Sequence, residues 1–315
     1  MNYLKEQTRK QFFGNCGIGL GSLALNQLLG TYSQAKHIPQ IDPSNPMSSR
    51  KAPLKAKVKN VIYLFMAGAP SQLELFEHKP KLNELNGEAP PPSLLEGRRF
   101  AFLKGNEKLL GSTRKFQRHG QCGMTIGETM PHMGKIVDEV TWLRGMTTDV
   151  FNHGPAKLFM NTGFQAPGRP SMGSWVTYGL GTENQNLPSF VTICPTLAHG
   201  GVKNWSSAFL PAEFQGTPLG VASQPATNAE VAYTHNKRIT RKQQRLQLDL
   251  IKQANQEHLK QTGPNQALEG RIGSFELAFR MQSRVPEIVD IADESKQTLT
   301  MYGLDEEITK DFGRQ

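Results

Sequence analysis

The stretch NVIYLFMAGAPSQLELFEHKP, Asn60 to Pro80, constrains the fold more than any other part of the chain. Its apolar run, Val61 to Met66, shows no polar alternation and stops at Gly68 and Pro70. A strand with one face in water alternates, whereas a strand covered on both faces reads as a continuous apolar run. Val58 to Met66 therefore predicts a first central strand. Val140 to Leu143 and Phe190 to Cys194, the latter closed by Pro195, predict a second and a third. Helices are expected in between. One opens at Pro131 and carries Met133, Ile136 and Val137; another, Pro155 to Met160, ends at Asn161-Thr162-Gly163; a third runs from Ser171 to Leu180 and ends at Gly181. Such alternation predicts an α/β domain on a mainly parallel sheet flanked by helices. Between Glu88 and Gln121 short apolar groups broken by Gly105-Asn106 and Gly111 predict a hairpin-like excursion.

The remainder is helical in character across 235–295. Lys237 to Lys260 is polar and Gln-rich, and Leu268 to Arg284 places Leu268, Ile272, Phe275 and Phe279 at helical spacing, with Pro286 expected to open a further turn. No strand follows. Three strands leave these helices little sheet to cover, so the domain reads as incomplete at its C-terminus.

The chain has 315 residues, 37% of them hydrophobic, enough for a sizeable core in one large domain or two smaller ones. Its formal charge of +9 is spread over separate runs: Lys51, Lys55, Lys57 and Lys59; Arg98 and Arg99; Arg114, Lys115 and Arg118. No aromatic residues are interleaved for base stacking, so no nucleic-acid partner is expected. Residues 1–35 read as an export signal. Lys5, Arg9 and Lys10 precede the Gly-rich apolar segment Phe12 to Gly30, and Ser33-Gln34-Ala35 offers a cleavage site. TRKQFF resembles the twin-arginine motif with Lys10 at the second arginine, which leaves the general secretory route open. Polar Asn15, Asn26 and Gln27 argue against a retained anchor, so no stable membrane span is expected after signal removal. The expected location is periplasmic or cell-surface. Residues 36–57, rich in Pro, Ser and Lys, read as a linker or an arm extended over the domain of 58–315. Beyond the signal, Cys122 and Cys194 are compatible with one disulfide or with two thiols.

Open parallel sheets bind ligands beyond the carboxyl ends of their strands. The loop after the first predicted strand carries Ser71, Glu74 and Glu77. Ser71 and Glu74 fit a Ser-x-x-Glu capping box, or one of them points into a cleft as nucleophile or metal ligand. The second loop presents Asp149, Asn152 and His153 just before a helix, where free N–H groups favour an anion. The third offers His199, Gly200, Gly201, Lys203 and Asn204. There is no G-x-S-x-G elbow, Walker loop, dinucleotide fingerprint after a strand, HExxH or paired CxxC.

VIYLFMAGAPSQLELFEHKPKL, GQCGMTIGETMPHMG, NHGPAKLFMNTG, GRPSMGSWVTYGLGTENQNLPSFV and MYGLDEEITKDFGRQ together resemble the exported bacterial proteins of the domain of unknown function 1501. That family is similar in fold to the alkaline phosphatase and sulfatase superfamily. The resemblance implies a divalent metal at strand ends and hydrolysis of sulfate or phosphate esters in a small molecule or glycan. On this reading Ser71 or a metal-bound water is the nucleophile, Glu74, Glu77 and His153 hold the metal, and Asn152, His199 and Lys203 meet the substrate. Family members often carry Asp where Glu74 or Glu77 stands here. The resemblance also implies continuation past Gln315 into a metal-bearing region, so the chain reads as C-terminally truncated. Two other readings stand beside the hydrolase: a non-catalytic binding or scaffold protein on the same fold, and a truncated nonfunctional fragment.

Overall fold

A computed structural model describes residues 41–315 except 43–44, 53, 67–69, 98–102, 233, 235, 237 and 264. The export segment, residues 36–40, 43–44 and 53 of the arm, and Gly68 and Ala69 of the first loop lie outside the described residues. The chain divides into two units, one of residues 60–167 and 196–204, the other of residues up to 59, 168–195 and 205–315.

The first unit contains α1 (Gln72–Leu75), α2 (Pro80–Glu84), α3 (Pro92–Leu95), β1 (Phe116–His119), β2 (Met124–Gly127), α4 (Pro131–Lys135) and α5 (His153–Thr162). β1 and β2 pair antiparallel, His119 opposite Met124 and Phe116 opposite Gly127. Gly120 and Gly123 turn the chain with positive φ, and the Asp138 carboxylate accepts the amide hydrogens of Gln121 and Cys122, both at 2.8 Å. Met124 and Ile126 alternate inward to meet Val137, with Phe76, Met130, Met133 and Trp142 packed around them. At Gly127 a side chain would stand 2.6 Å from the carbonyl oxygen of Glu74, so glycine is what lets α1 lie on β2.

Two predicted strands are not strands. Residues 60–66 carry no strand pairing, and Val61, Ile62 and Leu64 are exposed. A strand buried on both faces needs neighbours in its sheet and layers over it, and the described residues supply neither to this run. Residues 140–143 are irregular as well. There the short helix Val137–Glu139 turns the chain, and Trp142 folds back to donate its indole N–H to the Val137 carbonyl at 3.1 Å. Its apolar side chain covers the hairpin core instead of joining a sheet. The hairpin itself lies at 116–127, at the end of the predicted excursion and just beyond it.

The second unit holds α6 (Met172–Leu180), β3 (Val191–Ile193), β4 (Thr217–Leu219), α7 (Arg241–Thr262), α8 (Gln266–Val289), α9 (Lys296–Met301) and α10 (Lys310–Arg314). β3 is the third predicted strand, and it pairs parallel with β4, Val191 opposite Thr217. Val191 and Ile193 are about half exposed, so β3 is no buried central strand. Each described sheet has two strands, one pair antiparallel and the other parallel, in a fold that mixes helices with small sheets.

Ser171 caps α6 by accepting from the Ser174 amide, and Gly181 ends it. Arg50 closes the helix from outside: its guanidinium donates to the carbonyls of Thr177 at 3.0 Å, Tyr178 at 2.7 Å and Pro46 at 2.7 Å. A cation at the carbonyl end of a helix satisfies orphan acceptors and complements the dipole. Beside it Met47 is buried with Leu210, Phe214 and Tyr178. Thr240 and Gln243 form a full capping box on α7, and α8 continues unbroken through Pro286 where a new turn was expected. Arg245 of α7 makes a bidentate pair with Glu276 of α8 at 2.8 and 2.6 Å, while Val231, Met281 and Val285 form an apolar cluster along α8.

Candidate functional site

Two of the predicted loops meet within the first unit. Asn152 takes an extended conformation as the N-cap of α5 and its side chain accepts from the Gly154 amide at 3.3 Å, so α5 starts at His153. The chain of 196–204 passes over this end of the helix. His153 and His199 stand with ring centroids 5.6 Å apart and planes inclined by 53°, both rings exposed.

Two buried polar side chains hold that loop in place. Lys157, one turn beyond His153 on α5, points its ammonium at the carbonyls of Thr196 and Ala198, at 3.4 and 3.3 Å. These are long contacts for a buried ammonium, and burial lowers its pKa from the ordinary lysine value. Asn204, 4% exposed in the short helix Gly201–Asn204, donates its amide to the carbonyls of His199 and Gly201 at 3.2 and 3.0 Å. Its Oδ1 is buried and has no partner. The backbone in between is left-handed at three consecutive residues: His199 at φ 54°, Gly200 at 102° and Gly201 at 51°. Only His199 pays a steric penalty for this, of about 1–2 kcal/mol. At Gly200 a side chain would meet the Asn204 amide at 3.0 Å and Leu158 at 3.4 Å, so glycine allows the loop to settle on α5.

The result is a polar surface at a helix N-terminus, with two imidazoles and Lys203 exposed and with Lys157 and Asn204 buried. In the first turn of α5 the Gly154 amide is taken by Asn152 and Pro155 has none, so attraction for negative charge there comes from the helix dipole. Of the predicted residues, Asn152, His153, His199 and Lys203 thus share one place. Lys157 was not anticipated as part of it, although its i+4 spacing from His153 puts both on one face of α5.

The first loop is engaged differently. Ser71 is the exposed N-cap residue of α1 with no side-chain capping bond, so the capping box is not formed. The Glu74 carboxylate accepts from Ser112 Oγ at 2.9 Å and lies 3.7 Å from the Arg114 guanidinium. Glu77 pairs with Lys79 at 2.5 Å, an exposed ion pair that holds its carboxyl below the usual range. Among the described residues no group of three or more His, Cys, Asp or Glu is positioned to hold a metal ion. Cys122 is an exposed free thiol and Cys194 a buried one. No helix among the described residues is long and apolar enough to cross a membrane.

Among known families, the one described as protein of unknown function DUF1501 matches over residues 58–315, and the chain belongs to that family. No curated protein and no solved structure matches.

Proposed function

We propose that this DUF1501 protein is an exported hydrolase of sulfate or phosphate esters on an alkaline phosphatase/sulfatase-like α/β fold with a mainly parallel sheet, and that the anionic group is received between His153 and His199. The observation that carries the reading is the meeting of two loops, far apart in sequence, at the N-terminus of α5. An anionic sulfate or phosphate group there gains from the helix dipole and from Lys203. His199 takes the proton of the nucleophile and returns it to the leaving oxygen. Ser71, with its hydroxyl unused by the helix it precedes, is the side-chain nucleophile of this proposal. Glu74, Glu77 and His153 as ligands of a divalent metal are part of the proposal through the family resemblance, and no step above runs through a metal.

The test uses the full chain with p-nitrophenyl sulfate and p-nitrophenyl phosphate, with chelator and with added Zn²⁺, Mn²⁺ or Ca²⁺. Turnover that falls by about a hundredfold or more in both H153A and H199A is expected, the usual size of a lost acid or base. Turnover untouched by either substitution, or no turnover and no binding of inorganic sulfate or phosphate by calorimetry, overturns it. Anion binding without turnover would move the protein to the binding class.

A further inference from the structure

The long helix α7 begins against its own dipole. Its first turn contains no acidic residue and carries Arg241 and Lys242 at the end where a helix favours negative charge. Arg245 follows one turn on. Arg245 is neutralised by Glu276 and Asp249, whereas Arg241 bonds only to the Ser283 hydroxyl at 3.3 Å and neither Arg241 nor Lys242 makes an ion pair among the described residues. Both guanidinium groups lie over the Phe279 ring, at 4.7 and 5.0 Å from its centroid. Arg241, Lys242, Arg245, Leu246 and Phe279 line an open groove of about 390 Å³ with an almost wholly apolar floor. Next to it Leu246 and Leu250 are 61% and 67% exposed. An apolar floor rimmed by unpaired cations is a surface for an acidic, apolar chain.

The same unit displays a segment of that chemistry. After α9 the chain runs Asp305-Glu306-Glu307-Ile308, with Ile308 95% exposed and Phe312 of α10 81% exposed. Of these carboxylates, among the described residues, Glu307 alone has a counter-ion, Lys310 at 2.6 Å. The segment is fixed rather than trailing: Asp311 accepts the Ala226 amide at 2.6 Å, and Thr300 Oγ1 donates to Asp305 at 2.9 Å. It presents the negative charge that the groove lacks and apolar side chains to meet its floor.

We propose that the groove of Arg241, Lys242 and Phe279 receives the Asp305–Phe312 segment of a second copy of this chain. The contact is head to tail, since groove and segment are different patches, so repetition gives closed rings or open chains according to the rotation it sets. Charge complementarity sets partner and register, and Ile308 and Phe312 supply the apolar burial.

The test is sedimentation of the full chain at increasing concentration, first at low ionic strength and then in 1 M NaCl. Self-association that weakens at least about tenfold in high salt is expected, because exposed charges are screened there. The charge-reversed variants R241E/K242E and E306K/E307K should each remain monomeric. Mixed in equal amounts they should associate again, since each now complements the other, and such a rescue shows that both are folded. A wild-type chain that stays monomeric at low salt overturns the proposal. So does association indifferent to the reversals. Binding of a polyglutamate peptide to a monomeric wild-type chain would overturn the second copy as occupant and leave a foreign acidic partner.

Discussion

Replacing Glu213 by Gln isolates a buried carboxyl whose protonation the fold controls. Glu213 lies in the short helix Ala212–Phe214, 7% exposed, against α8. Its Oε2 has no hydrogen-bond partner, and a side chain on Gly270 of α8 would stand 2.5 Å from it. Burial first, and then the nearby Glu269 charge, raise its pKa above the ordinary 4.5, opposed in part by a hydrogen bond from its own backbone amide. The folded state therefore holds the proton more tightly than the unfolded state. Stability from this group is fully present below the unfolded value, declines as pH rises, and is lost once pH passes the folded pKa. Each unit of upward shift corresponds to about 1.4 kcal/mol, and an unsatisfied buried polar group costs about 1–3 kcal/mol.

E213Q keeps the volume and never ionises. Relative to wild type it should be more stable by about 1–3 kcal/mol at pH 8 and nearly equal at pH 4. Thermal melts of both proteins across that range measure the difference, at about 2–4 °C per kcal/mol for a unit of this size. Other titrating groups are common to both chains and cancel. A difference that is constant across pH, or a variant less stable at pH 8, would refute the reasoning. The packing half of the argument has its own control. G270A should destabilise wild type, because an added methyl pressed on the carboxylate costs about 1–3 kcal/mol. In an E213A background the carboxylate is gone and only Pro211 Cβ, 3.3 Å away, remains close, so the same substitution should cost less than in wild type, helix propensity offsetting up to about 1 kcal/mol.

R50A should destabilise the second unit by about 1.5–3 kcal/mol, the worth of charged hydrogen bonds to the last carbonyls of α6, read as faster amide exchange near 177–181. D138N should loosen the β1–β2 turn. The wild-type carboxyl, held below its ordinary value by the Cys122 and Gln121 amides, confers stability that is present at neutral pH and lost as pH falls through its folded pKa, whereas the variant should show no such acid step in hydrogen exchange at 120–123. K157M should leave α5 folded while releasing residues 196–199, so that the 153–199 ring proximity seen by NMR weakens.

The sequence carried its local signals faithfully and its long-range ones poorly. Helices α5 and α6 were legible because their stop signals are stereochemical: Gly163 takes φ 72° and Gly181 φ 68°, conformations that few other residues adopt. Val61 to Met66 misled because apolarity states only that a run prefers to be covered, not that the residues described here cover it. Pro286 misled in the opposite way. Proline ends isolated helices, yet Met281 and Val285 hold the turn before it in an apolar cluster, and that packing sustains α8 to Val289. The candidate site divides along the same line. His153 and His199 were each visible as a histidine beside glycine, but their meeting depends on Lys157 reaching carbonyls 39 and 41 residues away and on Asn204 gripping a left-handed loop. Neither contact has a sequence period. A buried lysine directed only at backbone carbonyls fastens one loop to one helix end, and this brings two single histidines together as a pair.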